Sequence, residues 1–186
     1  YDSAGQRCSA LRRLCLQEDS ADHVLRMLRG AMQELRVGNP DQLATDVGPV
    51  IDAQARADIE AYIEQMRGQG HTVTRLDLPA ECRHGHFVAP TLIEVSRVQD
   101  LSREVFGPVL HVLRYARKDM DALLQDINSL GFGLTFGVHT RLDETVAHVS
   151  ERIHAGNIYV NRNIVGAVVG VQPFGGEGLS GTGPKA

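Results

Sequence analysis

Four places in the chain carry residues whose type and spacing could do chemistry. In AGQRCSALR a lone cysteine, Cys8, stands between Arg7 and Ser9. A thiol attacks carbon only as thiolate, so it needs positive charge or free backbone amides beside it. Arg7 could supply the charge, although side chains adjacent in sequence often point apart. Free cysteine is among the most buried residue types, so an inert core thiol explains these residues at least as well as a nucleophile does. In ECRHGHF, Cys82, His84 and His86 alternate and, if extended, would face one side as three metal ligands. Structural zinc normally closes with paired ligand spacings, and only Glu81 adjoins, so a polar loop between strands competes with the metal reading. Glu104 in REVFGPVLHV precedes a turn at Phe106, Gly107 and Pro108, and taken alone it reads as a solvated carboxylate. The tail VQPFGGEGLSGTGPKA contains a G-x-G-x-x-G match from Gly176 to Gly181. A dinucleotide fingerprint needs a strand before it and a helix after it, whereas Pro173 and Pro184 flank this one. These glycines are read instead as backbone that needs positive φ or close approach.

The elements that must position these residues alternate. ALRRLCLQ reads as a strand that breaks at Glu18-Asp19-Ser20, with Asp19 or Ser20 capping the helix ADHVLRMLRGAMQELRVG and Gly38 stopping it. A second helix, DAQARADIEAYIEQMRGQG, places Ile59, Ile63 and Met66 on one face and ends at Gly68 or Gly70. The β-rich runs HTVTRLDL, FVAPTLIEV and VLHVLRY follow, then a helix in KDMDALLQDINSLGFG, a strand in LTFGVHT, a helix in RLDETVAHVSERIHAG ended by Gly156, and the short strand NIYVN. Such alternation predicts an α/β fold, an open, mostly parallel twisted sheet flanked by helices. Cys15 falls inside the first strand and is read as core.

At 186 residues the chain suffices for one sizeable core, so a single domain over 1–186 is expected. A net charge of −4 excludes a strongly basic nucleic-acid surface and leaves small molecules or proteins as partners. Three cysteines without framework spacing, and the lack of an apolar leader, fit a reducing cytoplasmic setting. The start at Tyr1, in mid-stride, leads us to expect a piece of a longer chain.

Taken in order, GQRCSA, EVFGPV, NIYVNR and QPFGGEGLSGTG, spread from Gly5 to Gly183, resemble the catalytic half of the aldehyde dehydrogenase superfamily. NRNIVGAVVGVQPFGG, with serine directly after the cysteine, is similar to the branch that oxidises glutamate γ-semialdehyde, the open form of Δ1-pyrroline-5-carboxylate. EVFGPVLHVLRY and the run from Asn157 onward most resemble the C-terminal dehydrogenase module of the bacterial proline utilization A family. In that family a flavin-dependent proline dehydrogenase precedes the module on the same chain.

The resemblance implies roles residue by residue. Cys8 is the nucleophile, forming a thiohemiacetal and, once hydride has left to NAD, a thioester that water hydrolyses; its backbone amide helps to stabilise the oxyanion. Glu104 holds the nicotinamide ribose, whose hydroxyls need an acceptor, and Phe106 borders the nicotinamide. Ser9, Gly166 and Ala167 anchor the substrate carboxylate through a hydroxyl and successive amides. Phe174 forms an aromatic wall for the substrate, with a core phenylalanine pinning the loop as the competing reading. No metal is implied, and FAD belongs only to a separate upstream domain of a bifunctional parent. The nucleotide-binding domain, the general-base glutamate and the oxyanion asparagine lie upstream in the family, so these residues alone are not expected to turn over. Homo-oligomers are implied, in the cytoplasm, with a parent at most peripheral to the inner membrane. Two alternatives stay open: a relative that passes the acyl group to coenzyme A, and a non-catalytic metal-binding or interaction module built on Cys82, His84 and His86.

Overall fold

The computed structural model describes residues 1–101, 103–166 and 170–183, which fall into two compact units, Tyr1–Ala116 and Arg117–Ala186. The first unit contains β1 (Arg13–Gln17), α1 (Glu18–Gln33), α2 (Ala53–Gly68), β2 (Thr72–Arg75), β3 (Thr91–Val95) and β4 (Val109–Tyr115). Its sheet has the order β1-β4-β3-β2. Here β4 runs parallel to both of its neighbours and β2 joins β3 antiparallel at the edge. This is the mostly parallel α/β sheet that the alternation predicts.

Both faces of that sheet are covered. Residues on alternate positions of a strand point to opposite faces. Leu110 and Val112 of β4 pack with Leu16, Leu92 and the α1 residues Ala21, Leu25 and Met32. His111, between them in sequence, meets Tyr62 of α2 across the other face. Near-continuous burial of β3 and β4 follows from helices lying on both sides. The strand expected over FVAPTLIEV shortens to Thr91–Val95, behind Pro90, which has no N–H to offer a ladder.

The helix ends differ from the expected ones. α1 begins at Glu18, directly out of β1, with Gln17 at the N-cap and no side-chain cap bond. Asp19 and Ser20 therefore lie within the first turn, where Ser20 Oγ donates to the Gln17 carbonyl at 3.1 Å and Glu18 and Asp19 face the positive end of the dipole. The helix stops at Gln33, and Gly38 instead serves the following loop, its N–H donating to Val47 O at 3.1 Å. α2 is capped as a helix after an Asp should be: Asp52 Oδ1 accepts from Ala55 N at 2.7 Å, and the helix ends at Gly68.

The second unit holds α3 (Met120–Ser129), β5 (Phe132–Gly133), β6 (Thr135–Val138), α4 (Asp143–Arg152), β7 (Asn157–Val160) and β8 (Glu177–Gly178). β6 and β7 pair parallel, and β5 and β8 antiparallel. Leu124, Val149 and Ile153 form its core, with Phe136 and Ile158 packed against them. α4 ends at Arg152, so Gly156 is not its terminator. A Cβ at Gly156 would overlap the Gly175 carbonyl, and the glycine lets the tail cross there. Among the described residues no helix is long and apolar enough to cross a membrane.

Candidate functional site

Cys8 sits at the tip of a turn that Ala10 N closes by donating to Arg7 O at 3.1 Å. It is exposed, while Cys15 is half-buried and Cys82 buried. The inert-core reading therefore fits Cys82, and Cys15, whose thiol burial pushes up to about 11 against the pull of Arg13, but not Cys8. Ser9, the next residue, is 2% exposed. The lead-in is unusual: Ser3, Ala4 and Gly5 all have φ between 51° and 66°. Only glycine takes that region freely, so the run persists because surrounding contacts hold it. Tyr1 OH donates to Thr91 O at 3.1 Å. Gln6 accepts from Ile51 N at 2.8 Å and donates to Pro49 O at 3.3 Å. Gly5 lies so close to the Gly107 carbonyl that a Cβ there would overlap it. This approach brings the cysteine loop against the loop that carries Glu104 and Phe106.

Arg12 completes that junction. Its Nη1 donates to Gly5 O and its Nη2 to Arg7 O at 2.9 Å, so one guanidinium grips the chain at two points just before Cys8. Its Nε lies 3.6 Å from Glu104 Oε1, and its Cζ stands 4.5 Å from the centre of the Phe106 ring. The side chain is 11% exposed. Burial pulls the guanidinium pKa down and Glu104 opposes the shift, which is the balance that lets a buried cation remain charged. The root of Arg12 is fixed as well. Its carbonyl accepts from both His111 N and His111 Nδ1, each at 3.0 Å, and Tyr62 OH lies 2.9 Å from Nε2. A carbonyl only accepts, so Nδ1 carries the proton and the Tyr62 hydroxyl donates to Nε2. Burial pushes His111 down to about 4, and the ring is neutral. Arg7, by contrast, turns away to Ser3 Oγ at 2.9 Å.

Glu104 and Phe106 face outward beside this anchor. Phe106 is 45% exposed, a large aromatic at the surface next to a carboxylate whose side chain is 34% exposed. A nicotinamide riboside needs an acceptor for its hydroxyls beside an apolar ledge, and these two residues fit that need.

Of the expected carboxylate anchor Ser9 belongs to the first unit, whereas Gly166, like Phe174 of the expected aromatic wall, belongs to the second. Gly166 adopts φ +73°, and its carbonyl accepts from Tyr159 OH at 3.2 Å. Tyr159 in turn accepts from Gln172 Nε2 at 2.9 Å, and Arg162 stacks over its ring at 4.8 Å. Ala167 lies outside the described residues. Phe174 is half-buried in a tail that Asn157 clamps: Nδ2 donates to Pro173 O at 2.7 Å and Oδ1 accepts from Gly175 N at 3.2 Å. Sequence reasoning missed Arg12, Tyr159 and Asn157. A signal for Arg12 existed in LRRLCL, where two consecutive arginines in a strand must point to opposite faces, so one of them needs a buried partner.

The segment ECRHGHF is not extended. Ala80–His84 forms a 3-10 turn that sends Cys82 inward, its thiol 3.7 Å from Val37 O, while His84 and His86 are exposed. The three side chains do not share a face, and among the described residues no group of three His, Cys, Asp or Glu is placed to hold a metal. The tail glycines serve close approach, as expected: Gly176 and Gly178 each abut backbone.

A fold of this kind, with an exposed cysteine tied to a carboxylate and an aromatic ledge, defines its class, and the sequence model of the aldehyde dehydrogenase family matches residues 1–186. The chain belongs to that family. It is 63% identical over 191 residues to the bifunctional protein PutA of Klebsiella aerogenes, covering all of this chain and 15% of that protein. It is 37% identical over 188 residues to the 1-pyrroline-5-carboxylate dehydrogenase of Geobacillus sp. (strain WCH70), covering all of this chain and 36% of that one. A crystal structure of bifunctional proline utilization A (PutA) matches with a TM-score of 0.94 at 50% identity, covering all of this chain and 19% of that structure. The chain thus spans well under half the length of these relatives.

Proposed function

We propose that the longest natural chain carrying these residues oxidises L-glutamate γ-semialdehyde to L-glutamate with NAD, the second step of proline degradation. The observation that carries the reading is the exposed Cys8 turn, held by Arg12 against Glu104 and Phe106. Likeness to PutA and to 1-pyrroline-5-carboxylate dehydrogenase supports the choice of substrate.

In this reading Cys8 Sγ adds to the aldehyde carbon, the carbonyl π pair moves to oxygen, and the thiol proton leaves to solvent. The Cys8 amide donates to the oxyanion as it forms. When bound, NAD supplies the acceptor for the hydride lost from that adduct, which leaves a thioester on Cys8. Water then releases glutamate and restores the thiol. Glu104 would accept from the ribose hydroxyls and Phe106 would border the nicotinamide. Gly166, with Ala167 and Ser9, holds the substrate carboxylate; of these, Gly166 sits on a half-buried loop braced by Tyr159, while Ser9 is buried beside the nucleophile. Phe174 packs on the aliphatic stem of the substrate. The assembly is a cytoplasmic homo-oligomer, following the resemblance to the family.

Mass spectrometry of protein quenched during turnover is expected to find a γ-glutamyl adduct on Cys8, and Cys8→Ala is expected to abolish both the adduct and NADH formation. Free glutamate is expected without coenzyme A. Oxidation that survives in Cys8→Ala, or product that forms only with coenzyme A, would overturn the reading.

A further inference from the structure

We infer that Arg12 is a positioning residue that couples the Cys8 turn to the cofactor-facing pair Glu104 and Phe106, an inference that rests on the roles proposed above for Cys8 and Glu104. The guanidinium meets partners on several sides, although its Nε makes an ion-pair contact and no hydrogen bond. Its two terminal nitrogens hold the carbonyls of Gly5 and Arg7, its Nε edge faces Glu104 Oε1 at 3.6 Å, and its plane lies over Phe106 at 4.5 Å. A planar fork can meet four partners in fixed directions, whereas an ammonium is a point charge on a flexible stem. The backbone of Arg12 is immobilised by the His111–Tyr62 pair, so its side chain works from a fixed base.

The same cation thus has one set of bonds on the nucleophile's chain and one on the residues that would receive the cofactor. When Glu104 turns to accept ribose hydroxyls it changes its interaction with Nε, and the guanidinium shifts its hold on Gly5 and Arg7. Occupancy of the ledge is thereby transmitted to the cysteine turn. The physical warrant is one charged group in contact with both partner sets at once, holding Glu104 where it can accept, not mere proximity. Such a link makes two measurable claims: NAD binding depends on Arg12, and the reactivity of Cys8 depends on NAD only while Arg12 is present.

The test uses the longest natural chain, with NAD affinity read by calorimetry and Cys8 reactivity by its iodoacetamide alkylation rate with and without saturating NAD. In the wild type, NAD is expected to change the alkylation rate by about fivefold or more, the lower end of the usual allosteric size. Arg12→Met, which keeps most of the volume, is expected to weaken NAD about tenfold, the scale of losing a charge-assisted contact, and to make alkylation indifferent to NAD. Arg12→Lys is expected to recover less than half of either effect. Because Arg12 acts through Glu104, the double variant Arg12→Met/Glu104→Gln is expected to bind NAD within about twofold of Glu104→Gln alone, the mark of coupled sites. If Arg12→Met lowers the melting temperature yet binds NAD and answers to it as the wild type does, Arg12 is structural only and the inference fails. If instead Glu104→Gln binds NAD as tightly as the wild type, the reading of Glu104 itself has failed and the inference falls with it. Should Arg12→Met not fold, the same comparison between wild type and Arg12→Lys decides, since an unchanged affinity and an unchanged response in the lysine variant overturn it.

Discussion

Buried between Tyr62 and the Arg12 carbonyl, His111 donates from Nδ1 and accepts at Nε2, an arrangement that only the neutral ring satisfies. Its pKa falls from 6.5 to about 4, so between these values the unfolded chain binds a proton that the native chain does not. Stability from this group is fully present above pH 6.5 and is lost as pH falls toward 4. At about 1.4 kcal/mol per pH unit the loss reaches roughly 3 kcal/mol. Urea unfolding at pH 7 and pH 4.5 is expected to register most of that loss in the wild type and much less of it in His111→Gln; superimposable pH profiles would remove His111 as the cause. Residues of this kind were hard to read from the sequence. Cys8 stood out as a candidate because it lies in the first of four ordered motifs, and Glu104 and Phe106 because EVFGPV is the second. Arg12 was not, because its meaning depends on Gly5, Arg7, Glu104 and Phe106, two of which lie more than ninety positions away.

Asn157 opens β7 and, through both ends of its amide, holds the backbone on either side of Phe174. Asn157→Ala removes both bonds, and each is worth about 0.5–1.5 kcal/mol. The variant is expected to lose about 1–3 kcal/mol in denaturant titration and to raise KM for the aldehyde severalfold while the affinity for NAD stays put. An unchanged KM would take Phe174 out of the substrate wall and return it to the core reading. At this scale periodicity was informative: apolar residues at helical and at alternate spacing located every long helix and the four strands of the first unit's sheet. Boundaries were less so. Glu18, Asp19 and Ser20 offered several caps in a row, and the strand ran straight into the helix and used none of them as such. Gly38 and Gly156 looked like helix stops because glycine often is one, yet both helices end earlier, and at Gly156 it is the crossing of Gly175 that requires a missing side chain. Alternation in ECRHGHF would place its three possible ligands on one face only in an extended chain, but the segment coils into a 3-10 turn that buries the cysteine alone.

The chain as a whole covers 15% of the PutA protein of Klebsiella aerogenes, and the proposed contacts of Glu104 and Phe106 reach only the nicotinamide end of NAD. The 186 residues in isolation are therefore expected to form no NADH from glutamate γ-semialdehyde, with activity appearing only in the longer chain. Turnover by the isolated segment would show that its own residues suffice for cofactor binding and hydrolysis. The α/β class and its parallel sheet were legible from the alternation of elements, whereas the grouping into two compact units was not, because it depends on which strands pair across long gaps. One such pairing has a consequence in time. β1 bonds to β4, Arg13 opposite His111, so the two strands are made roughly a hundred residues apart, about 5–20 s at ordinary rates of synthesis. Throughout that interval β1 lacks β4, the strand it pairs with among the described residues, and Gly107, Glu104 and Phe106 do not yet exist to receive the cysteine turn. The thiol emerges well before the loop that receives it, so a nascent chain stalled before β4 would carry an unplaced cysteine beside a strand without its β4 partner, a form more suited to a chaperone than to a substrate.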